Sequence, residues 1–484
     1  MEPVQDGRRS PKSDAEIDDF RDEAHRTVEW AAAYLADSEQ YPVVSRAQPG
    51  EIRALLPDKP PLDPLGMAGI IDEVERVVVP GLTHWNSPQF MAYFGTTSSP
   101  PGIIGELITA TLNQNALNWQ ASPALHEVES VVLDWLRQML GLPEGLFGII
   151  YDTASTSTLC ALAAARDQAD PDIVRRGIAS GPRLRLYASE EAHSVVDKAA
   201  MTLGIGRDNI RKIPVDTEFR MVPEALDQAI KEDVGAGLQP FCVVATVATT
   251  STTSVDPVRR IAEISQRYGL WLHVDAAYGG SAAILPEMRW ILDGAELADS
   301  FCVNPHKWLF VPVDLSAFFT RRPDALRHSF TYIRPYLETS HDDEIDNLAN
   351  YGPQLGRRFR GLKLWFVIRA YGVRGMQDII RRHIELAADF ERWVTASPDF
   401  EMTAPRKFST VCFRARPAGT FPQDLNMVNA RLLHEVNASG DAFISQTIVG
   451  ETYMLRLAIG NMWTEKRHVE RVEELLVEGL RSTR

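Results

Sequence analysis

The chain has 484 residues, 45% hydrophobic and 24% charged, which is ordinary globular composition and enough length for two or three domains and a deep site. Its 65 acidic residues outnumber 50 basic ones, and the net charge of −15 argues against nucleic acid or an anionic membrane as the main partner. Cys160, Cys242, Cys302 and Cys412 stand far apart with no CxxC pair, so neither a zinc ribbon nor a disulfide framework is expected, and a reducing cytoplasmic location is. The N-terminus lacks the apolar core of a signal peptide, and no apolar run is long enough to span a bilayer.

A loose polar start is followed by "AEIDDFRDEAHRTVEWAAAYLADS", which places Ile17, Phe20, Ala24, Val28, Ala31 and Leu35 at helical spacing and predicts an amphipathic arm. The Pro-rich "LLPDKPPLDPLG" is a linker or rigid turn, and "GIIDEVERVVVPG" is again helical. From about residue 145 to 320 short apolar runs alternate with helices: "LRLYAS", "FCVVATVATTS", "IAEISQRYG", "LWLHVDAAY" and "SFCVNPHKWLF". This alternation predicts βαβ units and a mainly parallel sheet, whose ligands bind at the carboxyl ends of the strands. A helix rich in Arg and Glu then leads into a smaller α+β unit. The expected division is 1–99 for the helical arm and a substrate-pocket segment, 100–373 for a large domain and 374–484 for a small one.

Two strand exits carry polar residues: "LWLHVD" ends at Asp275, and "FCVVAT" runs into "TTSTTS". A lone aspartate after a strand is usually a turn cap. Here Lys307 follows thirty-two residues later between hydrophobic neighbours, a separation that lets both face one crevice. Desolvation lowers a lysine's pKa and makes it reactive, and a carboxylate with such a lysine suggests pyridoxal 5'-phosphate. Thr153, Ala154 and Ser155 precede an Ala-rich helix, and serve either as a plain N-cap or as a phosphate cradle at a helix N-terminus. His193 in "SEEAHSVVDKAA" is either satisfied near a helix start or stacked on the cofactor ring. His273 and Asp275 can point to one face as metal ligands, but no third ligand has recognisable spacing, so no metal is expected. No GxSxG elbow, Walker A loop or GxGxxG fingerprint is present.

The ordered series "VVPGLTHWNSPQFMAYF", "WQASPALHEVE", "AHSVV", "WLHVDAAYGGSA", "ADSFCVNPHKWL", "LGRRFRGLKLWFVIRAYG" and "LRLAIG" resembles the group II pyridoxal-phosphate decarboxylases, and among them the aromatic L-amino-acid decarboxylases. The resemblance covers nearly everything from residue 17 onward. It implies an α/β, fold-type I transferase fold with a mainly parallel seven-stranded-type sheet, a small C-terminal α+β domain, an N-terminal arm and a homodimer. It implies that Lys307 bonds the cofactor, Asp275 holds its pyridine nitrogen protonated and His193 stacks on its ring. Ala154, Ser155, Asn304 and His306 would hold the phosphate, with Thr250 and Ala277 lining the cofactor. Trp85, Tyr93 and Phe94 match the family's substrate pocket.

Twenty-nine residues after Lys307 stands Tyr336, at the position of the family's proton donor, in a charged segment poor in core residues as a mobile lid should be. Tyrosine there accompanies decarboxylation to an amine, and phenylalanine oxidative deamination to an aldehyde. Some positions depart from the family. Gly95 and Leu117 replace a proline and an aromatic pocket residue of the animal enzymes, and Asp152 replaces a glycine beside the cradle. Gly356 favours a bulky aryl group such as indole over imidazole. The expected function is decarboxylation of an aromatic L-amino acid of the tryptophan, phenylalanine, tyrosine or DOPA type. An aldehyde synthase on the same scaffold, a decarboxylase of a non-aromatic amino acid and a non-catalytic cofactor-binding protein are the alternatives.

Overall fold

A computed structural model of the chain describes residues 11–179, 181–331, 345 and 347–482. A helix, Pro11–Ala36, comes first, and its apolar Ile17, Phe20 and Val28 are exposed on the surface of the chain. The short strand β1 (Phe90–Met91) follows. Next come β2 (Phe147–Tyr151), β3 (Leu184–Ser189), β4 (Ile210–Ile213), β5 (Gln239–Thr246), β6 (Trp271–Asp275), β7 (Ser300–Val303) and β8 (Ser316–Thr320). They form a seven-stranded sheet of order β2-β8-β7-β6-β5-β3-β4, in which β4, β3, β5, β6 and β7 are mutually parallel and β8 runs antiparallel to both its neighbours.

Central strands of such a sheet are covered on both faces, so they read as unbroken apolar runs rather than as alternation. Every residue of β6 and β7 is buried. Successive side chains still point to opposite faces. Val243, Ala245, Leu272, Val274, Phe301 and Val303 pack into one core, and Cys242, Val244, Trp271 and Cys302 into the other, beneath the Ala-rich helix Ala154–Ala169. The same alternation puts His273 and Asp275 on the second face, with Cys302 beside them.

The small sheet adds β9 (Phe400–Met402), β10 (Thr410–Ala415), β11 (Phe443–Val449) and β12 (Thr452–Ala458), in the order β1-β11-β12-β10-β9. Its outer strand β1 pairs parallel to β11 through Phe90 and Phe443, so the segment before the large sheet is stitched into the small one. Phe390, Leu432, Val472 and Leu476 fill the core between this sheet and its helices. The helical segment Gly361–Ala396 joins the two units and breaks at Gly372, whose φ of 63° is one that glycine adopts without strain. No helix among the described residues is long and apolar enough to cross a membrane.

Candidate active site

The carboxyl ends of β5, β6 and β7 and the start of the helix Ala154–Ala169 meet around a cavity of about 260 Å³. Ala154, Ser155, His193 and Thr250 line it, as do Asp275, Ala277, Asn304, His306 and Lys307, with Phe94 on one side. A larger cavity of about 540 Å³ lies between the helix Pro123–Leu140 and β2, lined by His126, Glu129, Arg137 and Phe147. It is remote from the parallel strand ends and contains no lysine, so chemistry rather than volume selects the smaller one.

After β7, Asn304 caps a single helical turn, Pro305–Trp308, which turns Lys307 into the cavity. Its Nζ stands 5.2 Å from the centre of the Phe94 ring. Burial pushes its pKa down, with the Asp275 charge opposing. The amine is therefore more often neutral than a surface lysine, which makes it a nucleophile toward an aldehyde. Asp275 is buried, and its Oδ1 accepts the Ala277 N–H at 3.0 Å. Among the described residues, its Oδ2 has no hydrogen-bond partner.

His306 Nδ1 accepts the Leu315 N–H at 2.9 Å, which leaves the ring proton of the neutral imidazole on Nε2. Burial foremost, then the Lys307 charge, lowers its pKa to about 4, so it is neutral near pH 7. The Asn304 Nδ2 stands 3.5 Å from that Nε2, while Asn304 Oδ1 is buried without a partner. Turning the amide over pairs Oδ1 with the Nε2–H and aims the amide hydrogens into the cavity. Val195 N–H donates to His193 Nδ1 at 3.1 Å, and burial followed by nearby cationic groups lowers the His193 pKa, against the pull of Asp275.

Thr153 occupies the N-cap of the helix with no side-chain cap bond, so the N–H groups of Ala154 and Ser155 open to the cavity. Asp152 does not crowd them. Its Oδ1 accepts the Thr153 N–H at 2.6 Å and its Oδ2 the Gln354 amide at 3.3 Å, and Asp152 itself is not among the cavity-lining residues.

The model for the "Pyridoxal-dependent decarboxylase conserved domain" matches residues 49–416. The chain belongs to this family. Tryptophan decarboxylase TDC2 of Camptotheca acuminata is 41% identical over 96% of the chain and 95% of its own length. Phenylacetaldehyde synthase of a Rosa hybrid cultivar is 38% identical over 93% and 92%. The crystal structure of Oryza sativa TDC with PLP and tryptamine superposes with a TM-score of 0.93 at 38% identity, covering 96% of this chain and 98% of the other. The protein is a pyridoxal-phosphate-dependent decarboxylase of fold type I.

The residues present suit that cofactor. Ala154 and Ser155 N–H, with the Asn304 amide held by neutral His306, suit an anion; the open Oδ2 of Asp275 suits a pyridinium N–H; and the Lys307 amine suits an aldehyde.

Trp85, Tyr93, Leu117 and Gly356 lie outside the cavity lining. Trp85 stacks on Phe90 at 4.2 Å and on Tyr93 at 5.9 Å, and Trp85 and Tyr93 are 41% and 52% exposed, outside the cavity lining. Leu117 and Gly356 are brought near one another by the Ala116 N–H bond to Arg357 O at 3.0 Å and the bridge between Asn115 and Arg358, also outside the lining. Tyr336 lies outside the described residues.

Two neighbours escaped the sequence reading. Tyr278 stacks on Phe94 at 3.9 Å, and its place directly after Ala277 in "HVDAAYGG" was the available signal. Buried Arg456 sits 5.2 Å from the same Phe94 ring and donates to Ser251 O at 2.8 Å; a single arginine inside a strand carries no local signal.

Proposed function

We propose that the protein decarboxylates an aromatic L-amino acid, of the tryptophan, phenylalanine, tyrosine or DOPA type, to the arylalkylamine and CO2. The observation that carries this reading is the convergence of Lys307, Asp275 and the Ala154 cradle on one cavity walled by Phe94 and Tyr278. Bound there, pyridoxal 5'-phosphate supplies an aldehyde for the substrate amino group and a ring that accepts the electron pair left when the Cα–carboxylate bond breaks.

Lys307 would hold the cofactor covalently through its aldehyde. Asp275 would keep the pyridine nitrogen protonated, and His193 would lie against the ring. Ala154, Ser155, Asn304 and His306 would hold the phosphate, with Thr250 and Ala277 lining the ring. Tyr336 delivers a proton to Cα, so one amino acid and one proton give one amine and one CO2. Trp85, Tyr93, Phe94, Leu117 and Gly356 shape the aryl pocket.

The functional unit we propose is a cytoplasmic homodimer built from segments 1–99, 100–373 and 374–484. Ile104, Leu107, Ile108 and Leu112 support a dimer, because they form an exposed apolar stripe on the helix Pro100–Leu112. Four buried, unpaired cysteines suit a reducing compartment.

The test is mass-spectrometric product analysis of the cofactor-loaded protein with L-tryptophan, L-phenylalanine, L-tyrosine, L-DOPA and L-glutamate. Amine from an aromatic substrate is expected. The likeness to a phenylacetaldehyde synthase supports a second reading, oxidative deamination, for which aldehyde, ammonia and peroxide are the products and O2 the oxidant. Tyr336→Phe is expected to shift product from amine toward aldehyde; unchanged amine output removes Tyr336 from the donor role.

A further inference from the structure

Beside Asp275, on the face of the sheet covered by the helix Ala154–Ala169, lies a row of buried polar groups that the chemistry above does not use. Cys302 on β7 pairs in register with Asp275 on β6, and its Sγ is 3.7 Å from Asp275 Oδ1 and 3.9 Å from His273 Nε2. His273 Nδ1 is 2.9 Å from Ser300 Oγ, and Ser300 Oγ is 2.9 Å from Trp271 Nε1. His273 and Cys302 have no exposed surface.

The donor inventory orients the series. An indole N–H only donates, so Ser300 Oγ accepts from Trp271. The serine hydrogen can then go to His273 Nδ1, and in that arrangement the imidazole proton sits on Nε2, facing Cys302. With its proton on Nε2 the ring offers the thiol no acceptor, so the S–H turns to the Asp275 carboxylate. Each group thereby donates to the next, ending on the atom pair that faces the cofactor. Burial holds His273 neutral, with its pKa lowered to about 4, and pushes the Cys302 thiol far up, so both keep the hydrogens this order needs near pH 7.

We propose that Cys302 is a positioning residue for the cofactor, its thiol donating to Asp275 Oδ1 at the end of a hydrogen-bond series that runs from Trp271 through Ser300 and His273. The series fixes the carboxylate rotamer and leaves Oδ2 for the pyridine nitrogen. This inference rests on the reading that Asp275 holds that nitrogen.

The test compares Cys302→Ala, Cys302→Ser and Asp275→Asn with the parent protein by fluorescence titration of pyridoxal 5'-phosphate and by the 15N shift of ring-labelled cofactor. Loss of one bond to a charged group is expected to weaken cofactor binding about tenfold in C302A and to move the pyridine 15N shift toward the unprotonated value, with C302S restoring both. A C302A protein that binds within about twofold of the parent, while D275N binds weakly, overturns the proposal. So does a C302S protein no better than C302A. An unchanged D275N refutes the Asp275 reading itself, and the inference falls with it. Should C302A fail to fold, Cys302→Val keeps the volume without the donor and stands in its place. Histidine 15N shifts give an independent check on unloaded protein: the Nε2–H tautomer at His273 is expected, and the Nδ1–H tautomer overturns the series.

Discussion

Replacing Arg357 by methionine should destabilise the fold by about 3 to 5 kcal/mol, because it breaks a buried ion pair and leaves the carboxylate behind. Arg357 and Glu129 are 5% and 1% exposed, and Nη2 meets Glu129 Oε1 at 2.6 Å. Both also serve the free edge of β2: Arg357 Nη2 donates to Ile150 O at 2.8 Å, and Glu129 Oε1 accepts the Ile150 N–H at 2.9 Å. A glutamine at 129 can still accept from that N–H and places no charge in the buried site. The double variant E129Q/R357M should therefore lose only about 1 to 2 kcal/mol, the scale of one or two imperfect neutral bonds. Urea unfolding followed by tryptophan fluorescence measures both, and amide exchange across β2 localises the effect. A double variant no more stable than R357M would show that the charge left on Glu129 is not what makes the single substitution costly.

Burial lowers the pKa of several histidines, most strongly His273 and His306, to about 4, and His383, to about 3, with His84, His126 and His468 lowered as well. Between those values and 6.5 the unfolded chain binds more protons, so stability is intact above pH 6.5 and is lost as pH falls, by up to about 4 kcal/mol per unit for three groups. Urea midpoints of unloaded protein from pH 7 to 5 test this, and His383→Gln, which retains an acceptor for the Trp308 indole N–H, should remove about 1.4 kcal/mol per unit of it. Borohydride reduction of loaded protein should leave a cofactor adduct on the peptide containing Lys307. Lys307→Met should abolish it while leaving the unloaded protein at least as stable, because a partly desolvated amine with no carboxylate partner among the described residues is removed. In Gly279→Ala the new Cβ would stand 2.6 Å from Ala248 Cβ and 2.9 Å from Val247 O, so a cost of about 1 to 3 kcal/mol and weaker cofactor binding are expected in thermal melts and titrations.

The parallel sheet was legible because its central strands are buried on both faces and so spell out apolar runs. The meeting of Asp275 with Lys307 followed, since consecutive βαβ units bring strand exits side by side. Other features had no local signal. β1 is two residues long and pairs with a strand far along the chain, a contact set by tertiary packing alone. Asp152 looked hostile to a phosphate, yet its orientation depends on Gln354, which no reading of the cradle segment could supply. Trp85 and Tyr93 announce aromatic surface, but residue type does not say which side of a turn a ring occupies. Cys302 reads as one more apolar strand residue, and only the register of β7 against β6 places its thiol at a carboxylate.

Two lysines show why burial alone does not make a reactive amine. Lys307 in "NPHKW" and Lys363 in "GLKLW" both stand among hydrophobic residues, and burial lowers the pKa of each. Lys363 meets Glu106 at 2.6 Å, and that bond and charge oppose the shift, so its ammonium is held in a fixed pair. The carboxylate nearest in function to Lys307 is Asp275, whose Oδ1 is already engaged by Ala277 and approached by Cys302. The neighbour over Lys307 is instead the face of Phe94, which attracts a cation but accepts no strong hydrogen bond. A carboxylate aimed elsewhere and an aromatic ring in its place leave the Lys307 amine free to react, and the groups beside Asp275 belong to that chemistry because they decide where the carboxylate points.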